Sequence, residues 1–225
     1  MVSASKKIAI VGGSGALGAG LAKRWAKKGH NIIIGSRDEQ KAAEAASRLN
    51  EEAGVANIFG LENKRASEEV EIIVLTVPFS NHMSTLNLIA PALEGKILVD
   101  VTVPLVPPKV RTVHIPEGGS CAKAAQEFLG KGVRVVSAFQ SVAATHLDDL
   151  GHDIDCDVLV CGNDPEARET VVQLAFDAGM KAWHAGVIAN SIVAEAMTSS
   201  LIFINNRYKI DGAGLRITGQ PGTVS

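Results

Sequence analysis

The sequence predicts a doubly wound α/β fold on a mainly parallel sheet. Short apolar runs alternate with stretches of helical spacing along most of the chain, and the runs are continuous rather than alternating, as strands buried on both faces must be. A third observation narrows the class: a glycine-rich turn joins the first run to the first helix, where such sheets commonly seat a ligand.

The runs KIAIVG, NIIIGS, EIIVLTVP, KILVDVT, VRVVSAF and DVLVCG read as six buried strands, each with turn residues at its edges. Between them, GALGAGLAKRWAKKG, DEQKAAEAASRLNEEAG, SNHMSTLNLIAPALEG, CAKAAQEFLGKG and DPEARETVVQLAFDAG carry helical spacing, and all five end in glycine. Asp164-Pro165 is an N-cap followed by proline at the first helical position. The segment Thr102–Ser120 after KILVDVT is too rich in proline for a central strand; a long irregular connection in a compact domain is expected to be functional. A long apolar helix at about Ile188–Tyr208 breaks the rhythm and leads into a tail reaching 225. No repeat or linker interrupts residues 1–225, which read as a single domain.

The 225 residues are 46% hydrophobic with a formal charge of −2, so there is no electrostatic case for nucleic acid or an anionic membrane as partner. Apolar runs such as IIVLTVPF are far too short to span a bilayer, and MVSASKK has no signal-peptide core. Cys121, Cys156 and Cys161 form no CxxC and suit a reducing compartment, so the expected location is the cytoplasm.

Gly13-Ser14-Gly15-Ala16-Leu17-Gly18 is a G-x-G-x-x-G match that follows a strand and opens a helix. The first glycine permits a tight turn, the second lets a pyrophosphate approach the backbone, and the third allows close helix–strand packing. The end of the second strand decides between dinucleotides. An acidic residue there would grip ribose hydroxyls, but this strand ends Gly35-Ser36-Arg37. Ser36 and Glu39 read as a capping box, which puts Arg37 in a first helical turn where the dipole disfavours a cation unless an anion binds. With Lys41 one turn on, Ser36, Arg37 and Lys41 form a candidate pocket for the 2′-phosphate of NADP.

No motif with known acid–base mechanics is present. HLDDLGHDIDCD (His146–Asp157) has no common metal-ligand spacing and reads as an acidic surface loop. His30, His82, His114 and His184 stand singly and read as surface or capping residues.

Together VGGSGALGAGLAKRWAKKGH, GSRDEQKA, VLTVPF, VRVVSAFQSVAATHL, DIDCDVLVCGND and NNRYKIDGAGLRITG resemble the NADPH-dependent reductases of the deazaflavin coenzyme F420. The resemblance implies a single Rossmann-like domain, commonly a homodimer, with two coenzymes laid against each other. It puts the phosphate grip on Ser14, Gly15, Ala16 and Leu17 and the 2′-phosphate on Ser36, Arg37 and Lys41. Thr76, Val77, Pro78 and Asn81 fall beside the adenosine and ribose, and the loop through Ala144 near the nicotinamide. The deazaflavin side falls on Pro104, Leu105 and Val106 and on Ala189, Asn190 and Ser191. Where some members carry a histidine, this chain has Gln140, which can exchange hydrogen bonds but not become a cation. The implied chemistry is direct hydride transfer between the two rings, with the protein positioning them and no catalytic side chain required. Two other readings stay open: an NADP-dependent reductase of a flavin or imine, and a non-enzymatic NADP-sensing protein.

Overall fold

The computed structural model describes residues 4–219; Met1–Ser3 and the end of the expected tail, Gln220–Ser225, lie outside the described residues. The elements follow in the order β1 (Lys7–Val11), α1 (Ala16–Lys27), β2 (Asn31–Ser36), α2 (Glu39–Ala53), β3 (Ile58–Glu62), α3 (Asn63–Glu68), β4 (Ile72–Leu75) and α4 (His82–Ile89). The second half holds β5 (Ile97–Asp100), α5 (Cys121–Leu129), β6 (Arg134–Ser137), α6 (Ala144–Asp148), β7 (Asp157–Gly162), α7 (Pro165–Asp177), β8 (Lys181–His184) and α8 (Ser191–Tyr208).

These eight strands form one sheet in the order β3-β2-β1-β4-β5-β6-β7-β8. All neighbours are parallel except β6 and β7. The chain order reverses between β1 and β4, so their carboxyl ends open a crevice of the kind that takes ligands in doubly wound sheets. Apolar clusters cover both faces. Trp25 sits fully buried in one of them, donates Nε1–H to the Leu174 carbonyl at 2.7 Å, and meets Phe139 edge-on with ring centroids 5.9 Å apart.

Two strands are additional to the six read from sequence. IFGLE (β3) is mostly half-exposed and contains a glycine, while KAWH (β8) is short with both ends exposed. Neither gives the continuous apolar signal of a central strand. His30 and His82 are corrected: both are buried and paired, His30 Nε2 with Asp177 Oδ2 at 3.0 Å and His82 Nε2 with Asp100 Oδ2 at 2.6 Å. The acidic stretch His146–Asp157 is likewise more than a surface loop. The Arg24 guanidinium donates to the carbonyls of His146, Leu147, Asp149 and His152, and Asp157 is buried, accepting from Trp183 Nε1 at 2.8 Å.

The C-terminal helix also departs from expectation. Ile188–Tyr208, 21 residues with an 18-residue stretch of mean hydropathy 1.2, is long and apolar enough to cross a membrane by length and composition. Its orientation in the fold is unusual. The buried positions of α8 are Ser191, Ala194, Glu195, Ser199 and Leu201, whereas Val193, Phe203 and Tyr208 are exposed. The polar side chains face in and several large apolar ones face out.

Candidate functional site

The site is built on the carboxyl ends of β1, β2, β4, β5 and β6, which parallel pairing brings to one rim of the sheet. After β1 the chain turns at Gly12, whose φ of +78° is rare for residues with a Cβ. The left-handed position therefore lies one residue ahead of Gly13, to which sequence reasoning gave the tight turn. Gly13 serves by close approach, its N–H donating to the Ile10 carbonyl at 3.1 Å. A Cβ on Gly18 would stand 2.7 Å from the Gly13 Cα and 2.9 Å from Thr76 Oγ1, so this glycine lets α1 press against the loop and the end of β4. Ser14, Gly15 and Ala16 are exposed and Leu17 half-buried. The N-terminus of α1 has no side-chain cap and no acidic residue in its first turn. Its leading N–H groups and positive dipole end remain available to an anion.

The end of β2 corrects the capping assignment. Asp38, not Ser36, caps α2, with its carboxylate accepting from the N–H groups of Gln40 and Lys41. Ser36 ends the strand and accepts from the Asp38 N–H at 3.3 Å. Arg37 therefore lies in the connection rather than in a helical turn, and the dipole penalty argued for it does not apply. Arg37 and Lys41 are both exposed, and among the described residues neither has a carboxylate within 4.0 Å. Glu39 is occupied elsewhere, by Arg65 at 3.0 Å.

Beyond β4, half-buried Thr76 bonds the Val11 carbonyl through both N–H and Oγ1 and so closes the crevice floor. Val77 is half-buried, and Pro78 and Asn81 are exposed on the short turn leading to α4.

The ends of β5 and β6 hold, beside the expected Gln140, polar groups that sequence reasoning did not assign to the site: Asp100, Thr102 and, from α4, His82. Asp100 is fully buried; besides His82, it accepts from the Thr102 N–H at 3.0 Å. Burial is the largest single influence on His82 and lowers its pKa, but attraction to Asp100, their hydrogen bond and attraction to Glu195 together outweigh it and raise the pKa. Phe139 adopts φ 73°, a strained position for a bulky residue, held by packing on Trp25. Gln140 follows it, buried, and donates Nε2–H to the Asp100 carbonyl and to Ser137 Oγ, each at 2.9 Å. Its Oε1, like Thr102 Oγ1, is buried without a hydrogen-bond partner among the described residues. Unpaired buried acceptors are rare, and two on one rim fit a site that receives a hydrogen-bonding ligand. A lone acid ending an apolar run, as in ILVD, was the available sequence signal for Asp100.

Ala144 begins α6 and is half-buried. Asn190 is exposed and donates to the Ala185 carbonyl at 2.8 Å, while Ser191 is fully buried with its hydroxyl 2.7 Å from that of Ser120. Leu105 and Pro104 lie on the irregular connection after β5, and Val106 on it is exposed. Arg111 of the same connection bonds Asn206 of α8 at 3.1 Å, so connection and helix meet.

Comparison with known proteins agrees with this arrangement. Residues 7–104 match the family described as NADP oxidoreductase coenzyme F420-dependent. An F420-dependent NADP reductase from Methanocaldococcus jannaschii is 44% identical over 94% of this chain and 98% of its own length. A second protein of that name, from Methanothermobacter marburgensis, is 38% identical over 96% of this chain and 99% of its own. The fold matches a crystal structure from Arthrobacter sp. FB24, a candidate F420-dependent NADP reductase, with TM-score 0.79 and 24% identity over 96% of this chain and all of that one. The glycine turn, the basic end of β2 and near full-length likeness converge: the chain belongs to the F420-dependent NADP reductase family.

Proposed function

We propose that this protein transfers a hydride between NADP(H) and coenzyme F420. The observation that carries the reading is the 44% identity spread over 98% of a relative named for that activity. The geometry supports the NADP half through the open N-terminus of α1 and through Arg37 and Lys41, which have no carboxylate within 4.0 Å among the described residues. Ser14–Leu17 would cradle the pyrophosphate, Ser36, Arg37 and Lys41 the 2′-phosphate, and Thr76–Asn81 the adenosine ribose. Gln140 Oε1 and Thr102 Oγ1 would meet the ring systems, with Pro104–Val106 and Ala189–Ser191 forming the deazaflavin shoulder.

The coenzymes supply the redox chemistry, a hydride moving from nicotinamide C4 to deazaflavin C5 or back. The chain holds the rings and excludes water, and its buried Asp100–Gln140 network fixes the wall beside them. Stereospecifically deuterated NADPH should deliver its label to deazaflavin C5 with none in solvent. Gln140→Ala should slow turnover by about 5- to 30-fold, a loss of about 1–2 kcal/mol in hydrogen bonding, without label wash-out. Deuterium in water, or reduction of an imine or flavin with deazaflavin untouched, would favour the rival reductase. NADPH binding without turnover would favour a sensor.

The same reading places the chain as one domain in the cytoplasm, where its three buried free thiols would stay reduced. It also makes the protein a homodimer through α8. The argument is the outward apolar face, with Phe203 52% and Tyr208 68% exposed on a helix whose inner face is polar. Sedimentation at micromolar concentration should give a dimer and Phe203→Glu should shift it toward monomer; a wild-type monomer overturns this assignment.

A further inference from the structure

We infer that Glu195 is a positioning residue for the acceptor side of the site, acting through α8 on Gln140. The inference rests on the reading that deazaflavin lies against this rim. Glu195 is 2% exposed, the one acid on an inward face shared with Ser191, Ala194, Ser199 and Leu201. Its Oε2 accepts from the Cys121 N–H at 2.6 Å and its Oε1 from the Ala122 N–H at 3.1 Å. The carboxylate thus occupies the first turn of α5, where the dipole favours an anion. One turn earlier, Ser191 bonds Ser120, the N-cap of the same helix.

One turn later, Thr198 Oγ1 donates to the Gln140 carbonyl at 2.9 Å. One rigid helix thus carries the Glu195 contact to the start of α5 and the Thr198 contact to Gln140, which in turn bonds the Asp100 carbonyl beside the Asp100–His82 pair. Apolar packing is non-directional and would let α8 slide or roll. Two charge-assisted bonds from one carboxylate set both its rotation and its height. The Ala189–Ser191 shoulder precedes this clasp and Gln140 follows it, so the clasp sets the spacing between them.

The charge of the clasp matters because the surroundings oppose it. Burial pushes the Glu195 carboxyl up to about 7, Asp100 adds repulsion, and the two N–H groups pull the other way. The groups near it are Asp100 from β5, His82 from α4, Cys121 from α5 and Cys161 of β7. Once protonated, the carboxyl presents an O–H to one of two N–H donors, and the clasp loosens. Acceptor binding should therefore weaken as pH falls below 7, while nucleotide binding at the far end of the rim should not.

The test measures KM for deazaflavin and for NADPH in wild type, Glu195→Gln and Ser120→Ala between pH 6 and 8.5. Glu195→Gln should raise the deazaflavin KM by about 5- to 20-fold at pH 8 with the NADPH KM within about twofold. The variant-to-wild-type KM ratio should shrink toward pH 6, because only the wild type loses its clasp there. The coenzyme's own ionisation is common to both proteins and cancels in that ratio. If Glu195→Gln does not fold, Ser120→Ala, which cuts the Ser120–Ser191 bond and the α5 N-cap bond from the Lys123 N–H but leaves the carboxylate, should give the same selective rise at about 2- to 5-fold. Equal rises for both substrates, an unchanged deazaflavin KM, or a pH-independent ratio for Glu195→Gln overturns the inference alone. Absence of deazaflavin turnover by the wild type overturns the proposed function and this inference together.

Discussion

Replacing His82 by alanine will destabilise the protein by about 3–5 kcal/mol, lowering the melting temperature by about 6–20 °C. His82 and Asp100 are 2% and 0% exposed with 2.6 Å between Nε2 and Oδ2, so removing the imidazole strands a carboxylate that has no access to water. The remaining bond from the Thr102 N–H compensates one oxygen only. The effect carries a pH signature. The folded-state pKa of His82 is raised, so its contribution is full below about 6.5 and is lost as pH rises through the folded value. Thermal melts of wild type and variant at pH 6 and 8.5 should show the larger gap at pH 6. A gap smaller than about 1 kcal/mol, or one larger at pH 8.5, would remove the pair from its structural role.

Arg37→Ala should weaken NADPH binding by about 10- to 100-fold and leave NADH nearly unchanged. A charge-assisted hydrogen bond to a phosphate contributes about 1.5–3 kcal/mol, and only NADPH carries the group. Because Arg37 is exposed and has no carboxylate within 4.0 Å among the described residues, its removal should leave the melting temperature within about 1 °C. The NADPH preference of the wild type should also narrow with added salt, as an exposed charge pair is screened. Titration of both nucleotides by fluorescence checks each point. Equal losses for the two would take Arg37 out of the 2′-phosphate pocket.

The distribution of what was readable follows the range of the interactions. KIAIVG, the glycine turn and GALGAGLAKRWAKKG could be placed as strand, turn and helix because their signals lie within one short window. The basic end of β2 was readable for the same reason, although its cap was not. Ser36 and Asp38 are both good caps two residues apart, and only the path of the chain leaving β2 gives the role to Asp38. β3 was hidden by Gly60 and exposed Phe59, a strand tolerated because its neighbours β2 and α2 do the packing.

By itself, the sequence determined the alternation of strands and helices, the glycine turn that opens α1 and the basic end of β2 on which the proposed NADP preference rests. The tertiary structure alone decided that lone His82 meets Asp100, that Glu195 caps a helix 74 residues away, and that α8 turns its polar side inward. Periodicity and caps report contacts among residues a few positions apart. A buried charge finds its partner through the folded sheet, and no local pattern carries that distance.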